Sequence, residues 1–387
     1  MLRLIIQLAS LALGHGCTDG CATMVYPLIR ARIATFGMSP SAIAVMTTIV
    51  MNITCSFSQP LFALWSDRWG GRWVALMAPF LAGVGMAAAI QADTPAGMVV
   101  FLTLCGLAVA AYHPTPAAMV GDLWPSRRAF PLAVFLAGGT LGLGLGPIVV
   151  AHLLSRPDPH GGWWLLVASG PVTIALLASC GPAGHLGGHA QTLGSLGEVF
   201  RGRWGVMSLL VVISTLRALT TTGVSLGVTL LTERQETALA WTGFVLAVFL
   251  FSSGVTGLLS GLLLHPRRER GVLVLTALLS LVAVGVLPFG GPLLMVICLV
   301  VAGAALQGVN PLIVSMSQRA MPTGSRMASS LVMGWSWGIG GLAGMVVTVI
   351  HPIEWGFVAV ALAMIPAAIL AAMLPTDLGR TESSPHT

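Results

Sequence analysis

Lysine is missing from this chain: all 18 basic residues are arginine. With 47 Gly and 23 Pro beside abundant Ala, this reads as the residue usage of a GC-rich coding sequence, not as a chemical demand for guanidinium. Charge of either sign is scarce. Only 8% of residues are charged, against about 25% in a soluble protein, while 56% are hydrophobic and the mean hydropathy is +0.92. No aqueous fold of 387 residues hides that much apolar surface, so the solvent is expected to be lipid. The +6 net charge is spread over short loops and forms no basic patch, which argues against a nucleic-acid partner. The six cysteines (Cys17, Cys21, Cys55, Cys105, Cys180, Cys298) all lie in apolar stretches without a CxxC, as small hydrophobes do, and offer no disulfide framework. There is no HExxH, no Ser-His-Asp set and no phosphate loop, and the loops are too short to house a soluble catalytic domain. The sequence therefore speaks against an enzyme and calls for no cofactor.

What is present is a repeat. Shifted by 198 residues, Arg3 falls on Arg201, Asp19 on Arg217, Arg128 on Arg326, Gly142 on Gly340 and Gly146 on Gly344. One residue out of step, Gly106, His113 and Pro114 fall on Gly303, Asn310 and Pro311. Two parallel copies of an apolar module are how a large class of secondary transporters is built, with the substrate site between the halves at mid-membrane. A membrane helix needs about 20 apolar residues. Polar and Pro/Gly breaks then delimit twelve spans, near 4–34, 40–65, 73–92, 96–121, 129–154, 163–181, 204–232, 239–264, 272–289, 291–317, 327–350 and 355–374. The expected fold is all-α, with an N-terminal six-helix half (1–181), a linker (182–203), a second six-helix half (204–374) and a disordered tail (375–387). The run Leu4–Leu13 mimics a signal peptide, but Gly14-His15-Gly16-Cys17 is a poor processing site and the apolar run continues, so an uncleaved first span is expected. With the N-terminus cytoplasmic, thirteen arginines fall inside and only Arg30, Arg32, Arg156 and Arg234 outside. Both termini are then cytoplasmic, as an even number of spans requires. Most tryptophans fall near span ends, as an aromatic belt does, whereas Trp335 and Trp337 lie well inside the eleventh span.

Few residues in these spans carry chemistry. His15, Asp19, Tyr26 and Arg30 form one polar stripe on the first span. An ionised carboxylate at the depth of Asp19 costs at least about 2.5–3.5 kcal/mol unless wet, protonated or paired, so it marks a functional site by default. An inert structural pair is the bland alternative. The seventh span carries Ser214, Arg217, Thr220, Thr221 and Ser225 near one face. Arg217 is expected either to bind an anionic substrate or to be the counter-ion of Asp19 across the halves. The two are compatible, since an arriving anion would free Asp19 to take a proton. In the fourth span, Tyr112-His113-Pro114-Thr115-Pro116 breaks a helix at membrane depth and sets a titratable His beside the break. Gln307 and Asn310 stand opposite in the tenth span. His15 and Asp19 also share a spacing able to chelate a metal ion, although Arg217 would repel one. The glycine run 138–146, ending at Pro147, lacks the spacing of a dinucleotide loop and has no strand before it; it suits close helix packing, as do Gly338, Gly340, Gly341 and Gly344.

Asp67-Arg68-Trp69-Gly70-Gly71-Arg72 after the second span, and the glycine-rich fifth span ending in Gly146-Pro147, resemble signature motifs of the major facilitator superfamily over nearly the whole chain. His15-x3-Asp19, the aromatic-His-Pro of span four, Leu216-Arg217 and the glycines of span eleven are similar to its fosmidomycin-resistance branch. That branch has an acid after His-Pro, where Thr115 stands here. The resemblance implies proton-driven antiport and efflux of small drugs, including an anionic phosphonate, in a bacterial inner membrane. It also implies that Asp67, Arg68 and Arg72 latch a cytoplasmic gate, with Gly142, Gly146 and Pro147 at a flexing helix interface. The expected protein is a monomeric, drug-resistance type exporter of a small anionic or zwitterionic molecule, driven by the proton gradient and held in the lipid bilayer. Asp19, His15 and His113 are its proton-coupling groups, and Arg217, Tyr26, Gln307, Asn310, Trp335 and Thr221 contact substrate. An importer of a small organic anion and a metal-ion transporter are the alternatives.

Overall fold

The computed structural model describes residues 2–59, 61–62, 65, 72–123, 129–156, 160–181, 204–263, 268–321, 328 and 330–375. The expected linker, most of the tail, and Asp67 and Arg68 of the proposed latch lie outside the described residues, as does the side chain of Arg72.

The helices follow the apolar runs. In chain order they are α1 (Leu2–Thr23 and Val25–Phe36, joined through Met24), α2 (Pro40–Phe57), α3 (Arg72–Ile90) and α4 (Pro95–Tyr112 and Pro114–Leu123). Then come α5 (Ala129–Leu154), α6 (Gly161–Cys180), α7 (Trp204–Arg234) and α8 (Leu239–Leu263). The last four are α9 (Glu269–Phe289), α10 (Pro292–Leu306 and Asn310–Ala320), α11 (Leu331–Thr348) and α12 (Ile353–Ala372). Eleven are long and apolar enough to cross a membrane. α1, whose apolar run is diluted by His15, Asp19, Arg30 and Arg32, completes the twelve. Two starts are written in sequence: Ser39 and Thr94 accept the N–H of Ala42 and Gly97 ahead of Pro40 and Pro95, which lack the donor a first turn cannot use.

Each half packs alike. α1 lies on α5 and α6, and α3 on α4 and α6; α7 lies on α11 and α12, and α9 on α10 and α12. Glycine makes the α1–α5 contact a backbone contact. A Cβ on Gly142 would stand 2.0 Å from the Gly16 carbonyl oxygen, and one on Gly146 2.2 Å from that of Gly20. The repeat mates do the same on α7: a Cβ on Gly340 would stand 2.4 Å from the Thr215 carbonyl oxygen, and one on Gly344 2.6 Å from that of Leu219. In lipid, where the hydrophobic effect does not press helices together, such close approach is the main source of cohesion.

The halves meet along α5 with α8, α2 with α11, and the second segment of α1 with α7 and α8. Thr140, Gly144 and Pro147 of α5 meet Gly254, Phe251 and Gly243 of α8. Two π-helical turns, Ile53–Phe57 and Leu331–Trp335, touch across this boundary. Such turns are found mostly as single interruptions of helices at functional sites. Trp65, Trp73, Trp163, Trp164, Trp204 and Trp355 are exposed at helix ends, while Leu293, Ile174 and Val282 are among the apolar side chains left to lipid.

Candidate functional site

Three titratable side chains converge inside the first half. On α1, His15 and Asp19 stand one turn apart, and the His15 Nε2 lies 3.3 Å from Asp19 Oδ2. From the end of the first segment of α4, His113 brings its Nε2 to 3.2 Å from Asp19 Oδ1. Asp19 is thus bridged by two imidazoles, with side-chain exposures of 6% for His15, 12% for Asp19 and 22% for His113, the most accessible of the three.

Packing fixes both rings. His15 stacks on Phe135 of α5 at 4.1 Å between centroids and meets the edge of His113 at 5.2 Å. Tyr112, fully buried, donates its hydroxyl to the Leu11 carbonyl at 2.7 Å and ties α4 to α1. Glycines open the space. A Cβ on Gly14 would sit 2.2 Å from the Tyr112 hydroxyl, and one on Gly139 would sit 2.5 Å from His15 Cε1 and 2.7 Å from Asp19 Oδ2. Tyr112, Phe135, Gly14 and Gly139 are therefore supporting residues that the sequence reading leaves out of the site. The signal was available for Gly139, which lies in the glycine run two turns before Gly146.

The hydrogen bonds decide the proton arithmetic. His15 Nδ1 lies 2.9 Å from the Phe135 carbonyl oxygen, and His113 Nδ1 2.8 Å from that of Val109. A carbonyl only accepts, so each Nδ1 carries the hydrogen and each Nε2 is either protonated or a bare lone pair. A bare lone pair at this distance from a carboxylate oxygen repels it. Both contacts become attractive when two protons are shared over His15, Asp19 and His113, giving the cluster a net charge of +1. One divalent cation would satisfy the same geometry, because the three ligand atoms lie within 4.8 Å of one another. Carbonyl-anchored Nδ1 groups are the usual outer support of metal-binding histidines.

Arg217 departs from expectation. It lies at the α7 position that the repeat pairs with Asp19, yet it neither meets Asp19 nor stands open to the space between the halves. Its guanidinium is buried at 2% exposure and turns into the second half. There Nε donates to the Leu306 carbonyl at 3.1 Å, and Nη2 donates to Thr276 Oγ1 at 3.1 Å and to the Ala305 carbonyl. The physical reason is the break in α10, which leaves carbonyls without helical partners at a depth where no water replaces them. The expected Asp19–Arg217 ion pair is thus absent, and Asp19 has its partners in its own half. Nη1 of Arg217 and, one turn on, Oγ1 of Thr221 are buried without a hydrogen-bond partner among the described residues.

The remaining expected contacts are dispersed. Tyr26 faces Ser225 of α7 across the boundary between the halves. Gln307 is buried in the α10 break, Asn310 opens the following segment half-buried, and Trp335 is half exposed on the π turn of α11. Gly142 and Gly146 pack α5 on α1 within the first half, and Pro147 faces α8 across the boundary. At the end of the bundle opposite the N-terminus, Arg30 reaches out of the first half onto the α7–α8 turn, donating to Thr237, Ala238 and Thr242, while Ser41 donates to the Thr348 carbonyl at 2.6 Å. At the other end, Glu269 pairs with Arg319, which also donates to Ser315 Oγ at 2.7 Å.

A model of the Major Facilitator Superfamily matches residues 11–345. Among curated proteins none matches the sequence. Solved structures with the same fold include a variant of the nucleoside transporter NupG, at TM-score 0.75 and 15% identity over 96% of this chain and 99% of that one. A bacterial homolog of the human lysosomal transporter Spinster, inward-facing and unoccupied, reaches TM-score 0.70 at 14% identity over 98% and 99%. The human organic anion transporter MFSD10 (TETRAN) reaches 0.68 at 18% identity over 95% and 99%. Identities this low establish the shared fold alone.

Proposed function

The chain belongs to the major facilitator superfamily, and we propose that within it the chain is a proton-coupled secondary transporter that exports a small anionic or zwitterionic organic molecule by alternating access. The observation that carries this reading is Asp19 held between two imidazoles whose other nitrogens are anchored on backbone carbonyls. A carboxylate and two imidazoles so placed exchange up to two protons between them without leaving their site, which is what a coupled carrier requires. Arg217 Nη1 and Thr221 Oγ1, buried and unpartnered, favour an anion on the second half. Tyr26, Gln307, Asn310 and Trp335 would orient it. The two halves rock about the α5–α8 and α2–α11 contacts, with Asp67, Arg68 and Arg72 as one latch. The motifs shared with the fosmidomycin-resistance branch support export, a bacterial inner membrane and action as a single chain; the arginine distribution supports cytoplasmic termini.

The test begins with a thermal-shift screen of phosphonates, carboxylates and amphiphilic drugs, since a ligand binding the native state alone raises its melting point. The best phosphonate or carboxylate is then followed into proteoliposomes whose lumen is one pH unit below the medium. One unit is worth about 1.4 kcal/mol per proton, so antiport with one proton concentrates the compound about tenfold and with two about a hundredfold. Asp19→Asn is expected to abolish accumulation while keeping exchange of labelled for unlabelled compound. Equal accumulation by Asp19→Asn and the unaltered protein would remove the proposal.

The ligand-atom cluster His15, Asp19, His113 favours one second reading, transport of a divalent transition-metal ion. Calorimetric titration with Zn²⁺ and Co²⁺ separates the two. Tight binding that His113→Gln abolishes, with no response to any organic anion, would favour the metal.

A further inference from the structure

We infer that Arg217 is the positioning residue of the α10 break: its guanidinium takes the place of the backbone donors that the break removes, and so fixes Gln307 and Asn310 in the wall of the site. In an unbroken helix the Ala305 carbonyl would receive the N–H of Val309, and the Leu306 carbonyl that of Asn310. Here Asn310 N–H turns to the Gln307 carbonyl at 2.9 Å, and the ring of Pro311, which has no N–H for that same carbonyl, keeps the helix from continuing straight. The two freed carbonyls are the two that Arg217 takes. Ser260 of α8 holds the next turn by donating to the Gly308 carbonyl at 2.7 Å.

The first half solves the same problem with another residue. By the repeat, Leu306 corresponds to Val109, and the Val109 carbonyl receives its extra N–H from the His113 ring of the proton cluster. One backbone position in each half is therefore capped by a side-chain N–H. The cap is an imidazole from the same helix in the first half and a guanidinium from α7 in the second. A guanidinium suits the second because its planar fork reaches two adjacent carbonyls at once and its charge does not depend on pH. α10 cannot rewind while the fork is engaged, so α7 and the substrate wall of α10 move as one body.

The test uses the full-length purified protein without substrate or gradient, so its failure leaves the transport reading untouched. In a double-mutant cycle on melting temperature, Arg217→Met is combined with Pro311→Ala, which removes the ring that breaks the helix and lets α10 close, so that Val309 and Asn310 can return their N–H groups to Ala305 and Leu306. The fall caused by Arg217→Met is expected to be at least halved in the Pro311→Ala background; equal falls in both would overturn the inference. Should Arg217→Met not fold, Arg217→Lys, which keeps the charge but loses the fork, is followed by amide hydrogen exchange. Exchange at Gly308, Val309, Asn310 and Leu312 is expected to speed up by about tenfold, with residues 109–113 of α4 unchanged. A uniform change over both helices, or none at Gly308–Leu312, refutes the pin.

Discussion

Gly139→Ala adds one methyl group where the His15–Asp19–His113 cluster has no room for it. The new Cβ would stand 2.5 Å from His15 Cε1 and 2.7 Å from Asp19 Oδ2, well inside van der Waals contact. Relief to about 3.5 Å needs roughly 1 Å of movement. α5 cannot supply it, because Gly138 and Gly142 on either side lie so close to the α1 backbone that a Cβ on them would stand 2.2 Å from the Ala12 and 2.0 Å from the Gly16 carbonyl oxygen. His15 is stacked on Phe135 and bonded to its carbonyl, so Asp19 gives way and its 3.3 Å and 3.2 Å contacts with the two histidines open. Overpacking of this size costs about 1–3 kcal/mol, which a protein of this size survives. The expected phenotype is a folded protein, slightly lowered in melting temperature, that exchanges its compound but accumulates it severalfold less across the pH step. Gly205→Ala and Gly170→Ala, which meet nothing within 4 Å, are the matched controls. Accumulation at the unaltered level by Gly139→Ala would refute the claim that the spacing of this cluster sets coupling.

Other outcomes follow from the same geometry. Gly142→Val drives a branched side chain into the Gly16 backbone and should cost more than the about 1–3 kcal/mol of ordinary overpacking, seen as loss of monodisperse protein in detergent. Arg30→Ala removes the hydrogen bonds that tie α1 to the α7–α8 turn, and should raise the reactivity of a cysteine placed at Thr237 toward a water-soluble maleimide by severalfold. A disulfide between Ser41→Cys and Thr348→Cys should hold the halves together at that end and stop transport until it is reduced. Glu269→Gln leaves Arg319 without its carboxylate beside α9 and should lower the melting temperature, while Arg234→Gln at an exposed pair with Glu354 should not, because exposed pairs contribute about 0–1 kcal/mol.

The architecture was legible because its causes are periodic. The repeat at 198 residues gives two halves, long apolar runs give the spans, and glycines four residues apart give the α1–α5 and α7–α11 contacts. The convergence of His15, Asp19 and His113 was legible too: His15 and Asp19 share a helix face, and a His before Pro in a broken helix has to find a polar partner. The Asp19–Arg217 pairing was misread because the partners of the guanidinium are mainly backbone carbonyls, which side-chain patterns do not reveal. The position of a residue on its own helix says which face it shares, not which neighbour that face meets. Asp19 and Arg217 are symmetry mates, and symmetry placed each against the broken helix of its own half, not against the other. Arg30 was legible as a residue near a span end, but its clasp on the opposite half arises from tertiary approach alone.

The most direct measurement is proton release from the purified, weakly buffered protein when the screened phosphonate or carboxylate is added. The account requires one or two protons to appear per bound molecule, and none from Asp19→Asn at matched occupancy. Saturable binding by the unaltered protein at neutral pH with no proton released would contradict it.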